Sequence, residues 1–106
     1  MNIKSQTRNL KTRGGNNAET QYVTRLTGDV NQTIFQSYNS VILTIDFQMD
    51  TLTFGNDWDY SRTTMKYLHQ FIVEELRENL NSADIRKALK NGELKTAYKT
   101  WIVKEG

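Results

Sequence analysis

Four aspartates are the residues of this sequence best suited to chemistry: Asp46, Asp50, Asp57 and Asp59. Paired carboxylates can hold Mg²⁺ or serve as the acid and base of glycoside hydrolysis. Short acidic side chains are also typical of turns and of positions before helices, where they accept hydrogen bonds from backbone N–H groups. Asp57 and Asp59 precede a predicted helix. We therefore interpret this acidic patch as structural, and we expect no metal site.

Other catalytic arrangements lack the residue types that they need. The sequence has no cysteine, which excludes disulfides, thiolate catalysis and cysteine-ligated zinc or iron–sulfur sites. His69 is the only histidine, so a Ser-His-Asp triad would be a coincidence and His69 is expected to pack beside the core. The pair Gly14-Gly15 is not followed by the Gly-Lys-Ser/Thr of a phosphate loop. We therefore predict a protein that is not an enzyme and uses no cofactor.

Basic and aromatic side chains alternate near the C-terminus, at Lys95, Tyr98, Lys99 and Trp101. Cations that meet phosphates and flat rings that stack on bases are typical of nucleic-acid surfaces. Lysines on the solvated edge of a strand give the same pattern, and there they prevent pairing with another chain. Both interpretations remain open.

Trp58 and Tyr60 lie between acidic residues just ahead of the predicted helix. Aromatic residues in that position often pack over a sheet as a hydrophobic staple. They also dominate the energetics of protein interfaces. We favour core packing and keep both residues as candidates for partner binding.

The first 18 residues contain four bases and no acid: Lys4, Arg8, Lys11 and Arg13. The segment has few apolar side chains, so burying them would not offset the conformational entropy that is lost when the segment becomes ordered. We therefore predict that residues 1–18 are a flexible basic arm, which is either a solubilising terminus or a contact for the backbone of DNA or RNA. Residues 26–61 contain five aspartates and no base. Opposite charges in one small domain either attract each other or present separate faces.

Strand signals precede the helical ones. The strongest is the β-branched run over residues 41–47, which a short loop connects to residues 51–54 in a hairpin. The alternation places Val41 and Leu43 on the same face of its strand. Weaker extended segments are predicted at residues 21–26 and 33–35, and a last strand at residues 93–103.

Two helices are predicted after the hairpin. The first covers about residues 61–79, with Ser61 or Asp59 as its N-cap and an apolar stripe at Met65, Leu68, Ile72 and Leu76. The second begins near Ser82 and ends at Asn91-Gly92. The sequence thus predicts a single α+β domain over residues 19–106. Its small, mostly antiparallel sheet is covered by one long and one short helix, in the order β-β-β-α-α-β.

Length and composition agree with one small domain. The chain has 106 residues, of which 37% are hydrophobic and 25% charged, and a net charge of +2. Its apolar stretches are far shorter than the roughly 20 residues that cross a bilayer, and its start has no apolar run of a signal peptide. We expect a soluble, cytoplasmic protein without membrane contact.

Three segments resemble a known family. They are Tyr38-Asn39-Ser40-Val41-Ile42, Leu52-Thr53-Phe54 and the pattern W-D-Y-S-x-T-T-x-K-Y-L-x-x-F of residues 58–71. The family consists of small, largely uncharacterised proteins carried by phages and mobile elements of Gram-positive bacteria. The resemblance covers about residues 33–92 and brings no catalytic residues. Anti-CRISPR proteins from the same genomic context are similar in size and composition.

The resemblance implies a small phage-type binding protein. We expect it to inhibit a host defence nuclease, a type II CRISPR effector being favoured, by occupying a surface of the nuclease or its ribonucleoprotein. A sequence pI near 8.9 argues against mimicry of DNA by the whole molecule. The alternative is a nucleic-acid-binding accessory protein of phage replication or transcription control. The candidates for partner binding are Lys4, Arg8, Lys11, Arg13, Trp58, Tyr60, Lys95, Tyr98, Lys99 and Trp101, and the sequence predicts neither the partner's identity nor the oligomeric state.

Overall fold

The computed structural model describes residues 2–106, which form a sheet of seven strands and two helices. The elements are β1 (Ile3–Lys11), β2 (Asn17–Gly28), β3 (Gln32–Ser37), β4 (Ser40–Asp46), β5 (Thr51–Phe54), α1 (Arg62–Leu76), α2 (Ser82–Asn91), β6 (Glu93–Lys95) and β7 (Thr100–Glu105). The predicted α+β class and mostly antiparallel sheet are confirmed. The sheet is larger than predicted: five strands come before the helices and two after them, whereas the predicted order had three and one.

The sheet is an antiparallel meander of five strands, to which β6 and β7 from the end of the chain are added. Its spatial order is β1-β2-β3-β4-β5-β7-β6, so the first five strands each pair with their neighbours in sequence. Strand β7 then lies parallel to β5 and antiparallel to β6. The last part of the chain therefore occupies a place inside the sheet.

The N-terminal segment that we predicted to be a flexible arm is instead part of this sheet. Strand β1 pairs with β2 across a tight turn, and Leu10 and Ala18 lie in the core. Asn9 Nδ2 donates a hydrogen bond to the carbonyl oxygen of Ala18 at 2.9 Å. The prediction was wrong because it counted apolar side chains, whereas a local hairpin is held by backbone pairing at a small cost in loop closure.

Both helices pack on one face of the sheet, which we call the covered face. The rings of Phe35 in β3 and Phe71 in α1 are stacked with their centroids 5.4 Å apart. Further along the strand order, on the same face, Ile85 and Ala88 of α2 belong to the same core as Val103 of β7. The protein is thus a two-layer sandwich of one sheet and one layer of helices.

The helix ends follow from capping residues. Ser61 is the N-cap of α1, as predicted, and its hydroxyl accepts a hydrogen bond from the backbone N–H of Thr64. The helix ends at Arg77, earlier than predicted, because that residue adopts a left-handed conformation. Asn81 forms a capping box with Asp84 at the start of α2, and Gly92 closes its C-terminus.

Strand β4 departs from the predicted alternation at its start. Phe35 pairs with Leu43, but the next residue, Gln36, pairs with Val41. Ile42 is therefore the extra residue of a β-bulge. As a result Ile42 is buried together with Leu43, whereas Val41 is exposed. The predicted placement of Val41 and Leu43 on one face is wrong.

The predicted last strand is divided in two. A turn after β6 separates Glu93–Lys95 from Thr100–Glu105. In that turn the hydroxyl of Thr96 accepts hydrogen bonds from the backbone N–H groups of Tyr98 and Lys99. Such local side-chain bonds compete with the strand ladder and reverse the chain.

Candidate binding surface

The carboxylate of Asp46 is used within its own turn. It accepts hydrogen bonds from the backbone N–H groups of Gln48 and Met49, and from Gln32 Nε2, each at 3.0 Å. Partial burial raises the pKa of Asp46, but these hydrogen bonds and the positive charge of Lys104 outweigh that effect and hold the pKa below its ordinary value. Asp46 therefore acts as an ionised turn residue.

The other three aspartates each have a separate partner. Asp50 accepts a hydrogen bond from Lys99 Nζ at 2.9 Å, and Asp59 lies 3.6 Å from a guanidinium nitrogen of Arg86. Asp57 Oδ2 accepts a hydrogen bond from the Ser40 hydroxyl at 3.0 Å.

The predicted acidic patch is therefore split in space. Strand β4 runs from the region of Asp57 to Asp46, a distance of about 20 Å for its seven residues. Within residues 2–106, no three histidine or acidic side chains lie close enough together to hold a metal ion.

The C-terminal basic and aromatic residues do not form a stacking surface. Trp101 is buried in the core against Phe47, with ring centroids 5.9 Å apart. Lys99 lies over the Trp101 ring, 4.5 Å from its centroid, and pairs with Asp50. Tyr98 is 86% exposed at the tip of its turn, and Lys95 is exposed on β6. Since Trp101 is buried, it is unavailable to a base or a partner.

Some side chains of the acidic middle segment, residues 26–61, form ion pairs with side chains of the basic C-terminal segment. Two of the ion pairs, Lys99–Asp50 and Arg86–Asp59, join the acidic middle segment to the basic C-terminal one. Arg8 of β1 reaches Glu74 of α1 at 3.4 Å. The remaining N-terminal bases, Lys4, Lys11 and Arg13, are exposed.

Trp58 and Tyr60 have opposite environments. Trp58 is buried, with its ring 6.1 Å from that of Phe54 and the guanidinium of Arg86 over its other side at 5.3 Å. It is therefore a core residue and no anchor for a partner. Tyr60 is 74% exposed, which leaves its ring free for contact.

The sheet face opposite the helices is not covered by another element of the described chain. Its central row runs across five strands and consists of residues whose neighbours in sequence point to the covered face. The row contains Thr7, Thr24, Ile34, Thr44 and Thr53, and the next row contains Tyr22, Gln36 and Val41. We call these eight residues the open sheet face. None of these eight is charged, whereas the central row continues into β7 at Lys104, whose charge acts on Asp46 of the same face.

A groove and a pocket meet at the edge of this face. The groove, of about 490 Å³, is lined by open-face residues and by the β3–β4 turn residues Tyr38 and Asn39. The pocket, of about 680 Å³, lies where that turn approaches the start of α1. Its lining residues are Ser37, Tyr38, Asn39, Ser40, Ile42, Asp57, Tyr60, Ser61, Thr63 and Thr64. We call it the Tyr38–Tyr60 pocket.

Tyr38 has an unusual backbone. Its φ is 55°, in the left-handed region that residues other than glycine and asparagine rarely adopt. The conformation is fixed because the Tyr38 N–H donates to the carbonyl oxygen of Thr20 at 2.7 Å, and Gln36 Nε2 donates to the Tyr38 carbonyl oxygen at 2.8 Å. The ring is 49% exposed. Asp50 and Arg77 have similar φ values at another turn and at the end of α1, so the conformation of Tyr38 belongs to the β3–β4 turn.

Sequence reasoning did not find this surface. The alternation of threonine with apolar residues in β4 and β5 was visible, but which face stays uncovered depends on where the helices pack. Tyr38 was not among the residues predicted to bind a partner. The two sequence segments that meet in the pocket, residues 38–42 and 57–64, nevertheless overlap those that carry the family resemblance.

Comparison with protein-family models gives a match over most of the chain. Residues 1–91 match a family model described as a family of unknown function, DUF8033. The chain belongs to this family. No curated protein and no solved structure matches the chain. The DUF8033 match includes β1 and β2, which lay outside the resemblance seen in the sequence, and it ends where α2 ends, before β6 and β7.

The helices bear on one further property of this DUF8033 protein. Neither helix in the described part of the chain is long and apolar enough to cross a membrane.

Proposed function

We propose that this DUF8033 protein is a non-catalytic binding protein that inhibits another protein by covering part of its surface. The observation that supports the proposal is the open sheet face, whose eight residues are all uncharged, beside two exposed tyrosines, Tyr38 and Tyr60. The eight residues contribute no cation, and the charge of Lys104, the next residue of the row, acts on the carboxylate of Asp46. The face therefore gives little affinity for phosphates, which are neutralised by lysine and arginine in nucleic-acid complexes. It suits a protein surface instead, since charged residues are depleted in the centre of protein interfaces.

The dimensions fit that role. A standard protein interface covers about 800 Å² on each partner. The molecule measures 37 × 35 × 24 Å, and the sheet is seven strands wide. The open sheet face with its adjoining groove and pocket therefore supplies enough area for one stable contact.

The target that we propose is a host defence nuclease, and among these a type II CRISPR effector or its ribonucleoprotein. This choice of target rests on the sequence resemblance to small proteins of phages and mobile elements. Anti-CRISPR proteins come from the same genomic context. The protein would act in the bacterial cytoplasm, where such nucleases work.

The test is DNA cleavage by a type II effector loaded with guide RNA, with the protein in molar excess. The proposal predicts inhibition by the wild type. Val41 and Val73 offer a matched pair of variants, because they are 48% and 47% exposed but lie on the open sheet face and on α1 respectively. We expect Val41→Lys to weaken inhibition by about tenfold or more, as a charge does in the centre of an interface, and Val73→Lys to inhibit normally.

Two results would count against the proposal. Full cleavage in the presence of excess wild-type protein would remove the inhibitor function. Equal inhibition by Val41→Lys and Val73→Lys would leave the function but remove the open sheet face as its surface.

A second candidate, a nucleic-acid-binding accessory protein, is favoured by the exposed bases of the β1–β2 hairpin, Lys4, Lys11 and Arg13. It predicts affinity for DNA or RNA that falls steeply with salt and a smaller slope for Lys4→Gln with Lys11→Gln. Tagged protein recovered from a lysate with and without nuclease treatment separates the two functions. Stoichiometric protein that survives treatment supports the inhibitor, and nucleic acid alone, lost on treatment, supports the accessory protein.

A further inference from the structure

The Tyr38–Tyr60 pocket has the chemistry of a cation receptor. Among the residues that the structure describes, Asp57 is the only charged one that lines it. The carboxylate of Asp57 is oriented by the hydroxyl of Ser40, which donates to Oδ2 at 3.0 Å. This is its single hydrogen bond among the described residues, so the remaining lone pairs of Asp57 can accept from a donor that enters the pocket.

The rims of the pocket are aromatic. The rings of Tyr38 and Tyr60 are 49% and 74% exposed, and an aromatic face attracts an alkylammonium or guanidinium group within about 6 Å. The other lining groups are mostly hydroxyls and an amide, which can accept hydrogen bonds from such a group. Two flat rims, one free carboxylate and neutral acceptors are together complementary to a cationic side chain.

An anion is the competing occupant, because the pocket adjoins the N-terminus of α1. The helix end carries about half a positive charge, against a full negative charge on Asp57. Ser61 already accepts a hydrogen bond from the Thr64 N–H at 3.1 Å, which removes one of the free donors that an anion would use. The charge balance of the lining is therefore negative.

We propose that the Tyr38–Tyr60 pocket receives an arginine or lysine side chain from a protein partner, held against Asp57 between the two tyrosine rings. This inference rests on the proposed binding function and names the anchor by which the partner is recognised. Tyr38 and Asn39 line both the pocket and the groove on the open sheet face. A partner lying over the open sheet face can therefore reach the pocket with one extended side chain.

The pocket is tested without the partner, by NMR titration of ¹⁵N-labelled protein with N-acetyl-arginine amide. N-acetyl-citrulline amide is the control probe, since it has the same shape without the charge. We expect the arginine probe to shift the amide signals of Ser40, Tyr60 and Thr64 and to bind about two- to fivefold more tightly than the citrulline probe, the range of an exposed ion pair.

Matched variants locate the effect. Asp57→Asn removes the free carboxylate, so it is expected to abolish the preference for arginine. Asp59→Asn is the control, because Asp59 faces Arg86 and does not line the pocket. Tyr60→Ala is expected to weaken the arginine probe severalfold, whereas Tyr98→Ala, an exposed tyrosine on a different turn, is not. The spectra themselves report whether each variant is folded.

The opposing results are equally definite. Equal affinity for the two probes, no binding of either, or shifts caused by inorganic phosphate alone would overturn the cation receptor. If Asp57→Asn then inhibits the nuclease as the wild type does, the binding function stands and only the anchor is lost. If the probes bind as expected but the wild type does not inhibit, the pocket stands and the proposed target is wrong.

Discussion

The floor of the Tyr38–Tyr60 pocket makes a prediction about stability that the structure allows to be worked in detail. The hydroxyls of Ser37 and Thr64 are both buried and lie 2.9 Å apart. They join the end of β3 to the first turn of α1. The Thr64 hydroxyl also receives a hydrogen bond from Ser61 at 3.2 Å, so Thr64 is the middle member of a chain of three hydroxyls.

Thr64→Val keeps the shape of the side chain and removes its hydroxyl. Ser37 is then left buried without its partner, which costs about 1–3 kcal/mol of unfolding free energy because a buried polar group loses its hydrogen bond without regaining water. Ser37→Ala costs less, about 1 kcal/mol, since Thr64 keeps the bond from Ser61. When both hydroxyls are removed, position 37 no longer holds a buried polar group without a hydrogen-bond partner. The double variant is therefore expected to be more stable than the sum of the single losses predicts, by about 1 kcal/mol.

The assay is urea unfolding followed by fluorescence, since Trp58 and Trp101 are both buried and report loss of the core. Thr7 and Thr24 provide the control cycle, because their hydroxyls are also 2.9 Å apart but exposed on the open sheet face. When one of these exposed hydroxyls is removed, water can form a hydrogen bond with the other. We therefore expect the effects of Thr7→Val and Thr24→Val on the free energy of unfolding to be coupled by less than about 0.5 kcal/mol. Additive losses at Ser37 and Thr64, or equal coupling in the two cycles, would refute the argument.

Three further predictions concern the fold. Gly55→Ala is expected to cost about 2 kcal/mol or more in urea unfolding, because an added Cβ would lie 2.0 Å from the carbonyl oxygen of Val41, whereas Gly14→Ala, with nothing closer than 4.0 Å, should be nearly neutral. Trp101→Ala should cost about 3–5 kcal/mol by the same assay, since it empties a core position. The lowered pKa of Asp46 adds stability that is present above the ordinary value near 3.8 and lost as pH falls through the folded-state pKa, so Asp46→Asn should flatten the decline of melting temperature below pH 4.

The elements that the sequence predicted well are those with a local signal. The hairpin of β4 and β5 and the two helices are encoded by periodicity, by Ser61 as a cap and by Gly92 as a stop. Strand β1 carries no such signal. Its side chains are almost all polar, and its position is fixed by pairing with β2, which a count of apolar residues does not detect.

The candidate site depends on contacts that are distant in sequence. The burial of Trp101 follows from the insertion of β7 beside β5, and the exposure of Val41 follows from one extra residue in β4. Neither is visible in the local pattern. The open sheet face exists because both helices return to the same side, which packing decides. Tyr60 was identified as a candidate from its type, and its exposure keeps it one.

Strand β1 has a consequence for solubility. It is nine residues long and stands at the edge of the sheet, with its outer row of backbone N–H and C=O groups unpaired by any other described strand. Such an edge is a template on which a second molecule can add its own strand and begin an aggregate. Lys4 and Lys11 place positive charge along that edge, while Arg8 is paired with Glu74, so two copies that approach edge to edge repel each other. The bases that suggested a contact with phosphate therefore also oppose self-association of the protein. Their replacement by glutamine should raise light scattering in concentrated solution.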